Sequence, residues 1–243
     1  MLDTAKRELL LKEIEALSPF MTDARKKKIE DVLDRRTRDV TIMLERFRKV
    51  HNLSAILRTC EALGVQDAHI VAPKEEFGEV RVTRGVSQNA HRWLSLRWHK
   101  SSADAAAALK SKGYVLAAAS LDGDAVDFSE ILDISPLAIV AGNELDGVAL
   151  ETLKACDVKF KLPMYGFVQS YNVSVAAAIA LNSIIERRRE RSPGAFGLTA
   201  DERIVLKAKW YKMIVKYADQ ILRRLDEYDE REINIKTTME PEA

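Results

Sequence analysis

From residue 39 to residue 190, short apolar runs alternate with stretches of helical period, and this alternation limits the folds open to the chain. VTIMLERF (40–47), AHIVAP (68–73), RWLSLRWH (92–99), YVLAAAS (114–120), LAIVAG (137–142) and VKFKL (158–162) have the length and composition of strands. Between them NLSAILRTCEALG (52–64), SADAAAALKSKG (102–113) and ALETLKAC (149–156) read as helices, and a longer helix is expected from about Asn172 to Arg189. Gly64 and Gly113 are suited to stop the first two, and Ser102 is the candidate cap of the second. Strands that alternate with helices predict an α/β fold with a parallel sheet covered on both faces.

Helical patterns flank this core. Residues 3–17 place Leu9, Leu10, Ile14 and Leu17 toward one side, and Ser18-Pro19 stops the run. Thr22 or Asp23 can cap a second helix with the stripe Ile29, Val32 and Leu33. After the linker RSPGAFG (191–197), residues 199–228 form one more helical region carrying Ile204, Leu206, Trp210, Ile214, Tyr217, Ile221 and Leu225. Thr199 and Glu202 have the spacing of a capping box. This divides the chain into an N-terminal helical extension (1–38), a core (39–190) and a C-terminal extension with an acidic tail (191–243).

At 47% hydrophobic residues the chain can bury a substantial core, and the lack of a long apolar run reads as a soluble cytoplasmic protein. Cys60 and Cys156 form no ligand cluster and read as buried, reduced thiols; no metal is expected. The formal net charge is +1, but from Asp226 onward seven acidic residues face two basic ones, a net of −5 that leaves +6 on the first 225. The cations cluster as Arg25, Lys26, Lys27 and Lys28; Arg35 and Arg36; Arg46, Arg48 and Lys49; and Arg187, Arg188, Arg189 and Arg191. Any one cluster suits a solvated helix face. Together they have the footprint of a polyanion-binding surface.

Three loops follow strands on the edge where open α/β sheets bind ligands. In the first, His51 and Asn52 sit where strand becomes helix, and Arg58 stands between Leu57 and Cys60, where a planar cation can grip phosphate or remain a surface group. In the second, Gly142 and Gly147 permit a tight turn around Asn143, Glu144 and Asp146, and Asp146 can cap the helix that follows. In the third, Pro163 stiffens the entrance, Gly166 permits a positive φ, and Ser170 or Asn172 can cap the alanine-rich helix. Neither a Walker loop nor a G-x-G-x-x-G is present, which argues against a common nucleotide-binding protein.

In order, HNLSAILRTCEALGV (51–65), VAGNELDGV (140–148) and LPMYGFVQSYNVSVAAAIAL (162–181) resemble the three signature motifs of the SpoU (TrmH-like) RNA 2'-O-ribose methyltransferases of the SPOUT class. The resemblance implies a parallel-sheet SPOUT fold with a C-terminal trefoil knot, S-adenosylmethionine as methyl donor, and a homodimer with composite active sites. It also implies an RNA substrate, most like that of the members acting on the D-loop guanosine at position 18 of tRNA. Ribosomal RNA, another tRNA ribose and a non-catalytic knotted RNA-binding protein are the alternatives. Residue by residue, Arg58 matches the catalytic arginine, Asn52 its supporting asparagine, Glu144 the acidic position, and Ser170 with Asn172 the polar pair of the third motif. Ala118, Ala119, Ser120, Gly142, Asn143, Glu144, Gly147, Leu162, Met164, Ser170, Tyr171 and Asn172 are the implied cofactor contacts. Leu145-Asp146 and Tyr171 depart from the family pattern, which has leucine at the latter position. His51 is the histidine nearest the implied chemistry. Trp93, Trp98 and Tyr165 are candidates for base stacking, core packing being the expectation for the tryptophans.

Overall fold

The alternation of strand and helix is realised as a seven-stranded sheet in which every pairing is parallel. The structure is a computed structural model that describes residues 2–47, 49–72, 90–120, 123–143, 146–191 and 196–224. The strands are β1 (Val40–Glu45), β2 (Asp67–Val71), β3 (Ser95–His99), β4 (Val115–Ala119), β5 (Val126–Asp127), β6 (Leu137–Ala141) and β7 (Val158–Lys161). Their spatial order is β3-β2-β1-β6-β4-β7-β5. Central β1 is buried along its whole length, as a strand covered on both faces must be. Two apolar clusters result, one holding Ile42, Leu44, Ile139 and Phe160, the other Met43, Leu116, Ala118 and Val140. The alternation of β1, β4 and β6 residues between them is the period of two of a pleated strand. Each fully buried Leu or Ile contributes roughly 1.5–3 kcal/mol.

The helices are α1 (Thr4–Leu17), α2 (Asp23–Leu33), α3 (Val50–Leu63), α4 (Ser102–Lys110), α5 (Leu150–Ala155), α6 (Val173–Arg191) and α7 (Ala200–Ile214). Among the described residues, those within 36–197 form one compact unit, and those within 2–35 and 198–224 form another. Within the second unit α1 and α2 meet α7. Lys212 donates to Glu13 at 2.5 Å, and Arg203 reaches Glu30 at 3.1 Å and Asp34 at 2.7 Å. Thr199 and Glu202 form the expected capping box, and Thr22 caps α2. Leu9 is exposed, so α1 buries a narrower stripe than its leucines suggest. The helical run after 199 breaks at Val215–Tyr217, where Tyr217 has a φ of 62° and an exposed ring; helix resumes at 218–224.

Several boundaries in the sheet unit differ from the sequence reading. β1 stops at Glu45 because Arg46 takes a left-handed φ of 49°. Residues 90–93 form a 3-10 turn, so β3 begins at Ser95. α3 begins at Val50, which puts His51 and Asn52 in its first turn, and it ends at Gly64 with φ 84° as expected. Ser101 caps α4, because the Ser102 hydroxyl is turned to Glu45. The two-residue β5 and the 3-10 turn at 128–131 were too short to carry a periodic signal. Cys60 is buried, Cys156 half-buried, and burial pushes both thiols up to about 12, which leaves them protonated and inert.

A histidine pair joins β2 to β3: Nδ1 of His69 and Nε2 of His99 share a hydrogen bond of 2.9 Å. Burial, then His99, Arg97 and Lys112, push His69 down to about 3 from an ordinary 6.5. The native ring is therefore neutral. The unfolded chain takes up the extra proton between those values, so this contribution to stability is complete above 6.5 and fades as pH falls toward 3. Urea unfolding should show stability declining from about pH 7 to about pH 5 with a shallower slope in His69→Gln; an identical slope in the variant would contradict the assignment.

Candidate functional site

Because all strands run in parallel, the loops that follow β1, β4, β6 and β7 emerge at one edge of the sheet. They enclose a cavity of about 660 Å³, a size that suits a small organic ligand. Its floor is apolar, made by Ile139, Val148, Leu153, Phe160 and Leu162 with Ala176, Ala177 and Ala180 of α6. Its polar groups are Ser120, Asn143, Gln169, Ser170 and Asn172, with Lys49 and Asp146 as the charged members among the described residues.

The turn after β6 is built by two glycines for different reasons. A Cβ on Gly142 would lie 1.9 Å from the Gly147 carbonyl carbon, so that position is glycine for want of space. Gly147 has a φ of 69°, which an L side chain seldom adopts. Asn143 and Gly147 exchange backbone hydrogen bonds of 3.0 and 3.2 Å, and the Asn143 carboxamide accepts from the Asp146 amide at 2.8 Å. Asp146 thus belongs to the turn, and Ala149 occupies the cap position of α5. Gly166 has no positive φ and open space around it, so the third loop does not need glycine there.

Asn172 caps α6. Its side-chain oxygen accepts from the Ser174 amide at 2.9 Å and the Ser174 hydroxyl at 2.6 Å. Its amide nitrogen donates to Asn52 at 3.4 Å, a long bond that nonetheless joins the first motif to the third. The Tyr171 hydroxyl donates to the Pro163 carbonyl at 3.3 Å and closes the third loop on itself, a contact that a leucine could not make.

Of the expected cofactor contacts, Ala119, Ser120, Gly142, Asn143, Gly147, Leu162, Met164, Ser170, Tyr171 and Asn172 line this cavity. Ala118 does not: it is fully buried in the opposite apolar cluster, because successive strand residues face opposite ways. Glu144 and Arg48 lie outside the described residues. Asn52 is buried behind Asn172, while Arg58 is exposed on α3 and does not line the cavity. His51 is exposed and does not line the cavity either. Sequence reasoning missed the cavity roles of Lys49, Gln169 and Phe160. Phe160 was accessible in principle, since it stands two residues before Leu162 and shares its face.

The cations divide into two groups. Arg25, Lys27, Lys28, Arg35, Arg46 and Lys49 are exposed, and Lys26 is half-buried and paired with Asp23 at 2.8 Å. Arg36 and Arg188 correct the RNA-facing expectation, because both are buried and spent on internal partners. Arg36 donates to Glu61 at 2.9 Å. Arg188 pairs with Asp39 and donates to the carbonyls of Asp39, at 3.1 Å, and Ile134. Burial pushes the Arg188 guanidinium down to about 10, still charged at neutral pH. Arg187 and Arg191 pair with Asp133, and Arg189 with Glu186 and the Leu63 carbonyl. Trp98 packs on the core, Trp93 is half-buried, and Tyr165 is almost wholly exposed.

A sequence profile of the SpoU rRNA methylase family matches residues 39–182. The chain is 39% identical to a Borreliella burgdorferi protein named tRNA (guanosine(18)-2'-O)-methyltransferase, over 85% of this chain and 93% of the relative. It is 45% identical to a Thermus thermophilus protein of the same name, over 70% and 84%. A crystal structure of an A. aeolicus TrmH/SpoU tRNA-modifying enzyme superposes with a TM-score of 0.71 at 31% identity, covering 80% of this chain and 98% of that one.

The two glycines of the β6 turn should differ in cost. Gly142→Ala should lower the unfolding free energy by about 3 kcal/mol, through a backbone clash. Gly147→Ala should cost about 1 kcal/mol, through dihedral strain alone. Chemical denaturation checks the order, and a larger loss at Gly147 would contradict it.

Proposed function

This chain belongs to the SpoU rRNA methylase family, and from that premise we propose that it methylates the ribose 2'-hydroxyl of guanosine 18 in tRNA. The observation that carries the reading is the convergence of the second and third motif segments on one cavity, with the first motif tied to it through Asn52, and with Lys49, just ahead of that motif, on its border.

S-adenosylmethionine fits that cavity in chemistry as well as size. An apolar slot between β6, β7 and α6 suits an adenine ring, the backbone at Gly142, Asn143 and Gly147 offers polar groups at close range, and Lys49 and Asp146 provide opposite charges for a zwitterionic tail. When bound, S-adenosylmethionine supplies a methyl group already activated on a sulfonium. The protein's task is then to orient the sugar hydroxyl in line and to help it lose its proton. Asn52 and Asn172, joined to each other, hold the inner end of the site. A guanidinium is a weak base, so we assign Arg58 the task of gripping the neighbouring phosphate and stabilising the emerging alkoxide.

Arg58 is exposed and outside its own cavity, and the surface near that cavity carries unusual apolar exposure. Tyr165 is 96% exposed, Val168 66%, Leu150 67% and Val175 45%, with Phe167 fully open. Apolar groups at this density suit a second copy of the chain. We therefore assign a homodimer in which an Arg58 from one copy completes the site of the other. The knotted topology of the family is assigned to this chain on the same footing, with the segment after β7 threading past the β6 turn. The exposed cations Arg25, Lys27, Lys28, Arg35 and Arg46 would track tRNA phosphates, with residues 1–38 acting as an RNA-binding extension. Among the described residues no helix is long and apolar enough to cross a membrane, and a cytoplasmic location is assigned as part of the same reading.

Incubation with labelled S-adenosylmethionine and tRNA should place the methyl group on the ribose of guanosine 18; label confined to ribosomal RNA would overturn the substrate. Arg58→Ala and Arg58→Lys should both lower kcat by about 100-fold or more, because lysine keeps the charge and loses the fork; near-normal turnover in both would remove the role. Replacing Arg25, Lys27 and Lys28 together by alanine should weaken tRNA affinity and reduce the salt slope by about 2–3, with donor affinity unchanged; a flat salt response would refute that contact surface.

A further inference from the structure

Glu45, the last residue of β1, is 2% exposed and does not line the cavity. Its carboxylate is satisfied by donors from two helices that pack on the sheet. Oε1 accepts from the Ser102 hydroxyl at the start of α4 and from the Thr152 hydroxyl of α5 at 2.5 Å. Oε2 accepts from the Ala149 amide at 2.9 Å. Ala149 is the cap residue of α5 and has no side chain able to cap it, so a carboxylate from a neighbouring strand takes an amide at the start of that helix.

The placement matters because of what adjoins these donors. Val148 precedes Ala149 and Leu153 follows Thr152, and both form part of the cavity floor. Gly142 lies close against Gly147, and Gly147 leads directly into Val148 and the start of α5, so this wall of the cavity is continuous with that helix. The position of its downstream end therefore depends on where α5 is anchored. Two of the three hydrogen bonds to Glu45 supply that anchor, while the bond from Ser102 holds the same carboxylate from the α4 side.

We propose that Glu45 is a positioning residue for the methyl donor. Through Ala149 and Thr152 it sets the distance between the 146–153 segment and the rest of the donor cavity. Donor affinity therefore depends on a carboxylate that never touches the donor. The inference rests on the reading of the cavity as the S-adenosylmethionine site, and it extends that reading to a residue outside the lining.

The test compares two variants that each remove one hydrogen bond from the same carboxylate. Thr152→Val should raise KM for S-adenosylmethionine by about 10-fold, with kcat and KM for tRNA within about two-fold of wild type. Ser102→Ala should leave KM for the donor unchanged, even where its thermal midpoint falls as far. Glu45→Gln, which keeps the volume and loses acceptors, should follow Thr152→Val. An equal donor KM shift in Thr152→Val and Ser102→Ala, or no shift in either, would overturn the proposal and reduce Glu45 to a structural role. Calorimetric titration of wild type with S-adenosylmethionine separates the two readings. Absence of binding there removes the donor cavity itself, whereas normal binding with an unshifted Thr152→Val removes the Glu45 inference alone.

Discussion

The parallel pairing of β1 with β6 is the constraint on which the rest of the structure depends. Val40 lies opposite Leu137 and Leu44 opposite Ala141, so the two strands end together. In a parallel pair the exits share an edge. The segment leading into motif one leaves from β1 and motif two from β6, so that Lys49 and the turn after β6 border one cavity as a consequence of this register. β4 and β7 extend the same edge and bring Ser120 and the 162–172 loop to the same cavity. A slip of one residue would turn Ile42 and Ile139 out of their apolar cluster and displace the loops at the same stroke, so the energetics of the core and the geometry of the site are set together.

Charge is partitioned in the same way. Burying a guanidinium is costly unless its donors are matched. Arg188 meets this cost with Asp39 and two carbonyls, tying α6 to the start of β1. Arg36 meets it with Glu61 of α3. These arginines hold the sheet unit together and are withdrawn from any interaction with a polyanion. The exposed cations at 25, 27, 28, 35 and 46 remain in water, where a phosphate backbone would find them. A basic run in a sequence contains both kinds. The arginines of 187–191 show why: on a helix, successive residues step by about 100°, so neighbours in the run fall on buried and open faces in turn.

The legible part of the fold was the part written in periods. Strands of four to six residues with β-branched or apolar composition, and helices closed by Thr22, Gly64 or Thr199, follow from local chemistry and were anticipated to within a few residues. The errors lie where a distant group overrides a local preference. Ser102 has the chemistry of a cap, but Glu45, 57 positions away, draws its hydroxyl off and leaves the cap to Ser101. Asp146 also looks like a cap and is instead held in the β6 turn by Asn143. Ala118 was placed with Ala119 and Ser120 as one wall, although strand geometry sends it to the opposite face.

The sequence by itself determined the class of the sheet, the three loops that reach the cavity, a turn that glycines permit at 142 and 147, and, through its motifs, the family. All of these depend on residues close in the chain, whose spacing carries the physical information. Tertiary structure alone decided that Lys49 and Phe160 border the cavity, that Arg36 and Arg188 are internal, that Arg58 stands outside its own pocket, and that a buried carboxylate on β1 anchors the helix beside it. Those facts depend on separations of tens to more than a hundred residues. They are settled by which groups the packed sheet can still satisfy with hydrogen bonds once water is excluded.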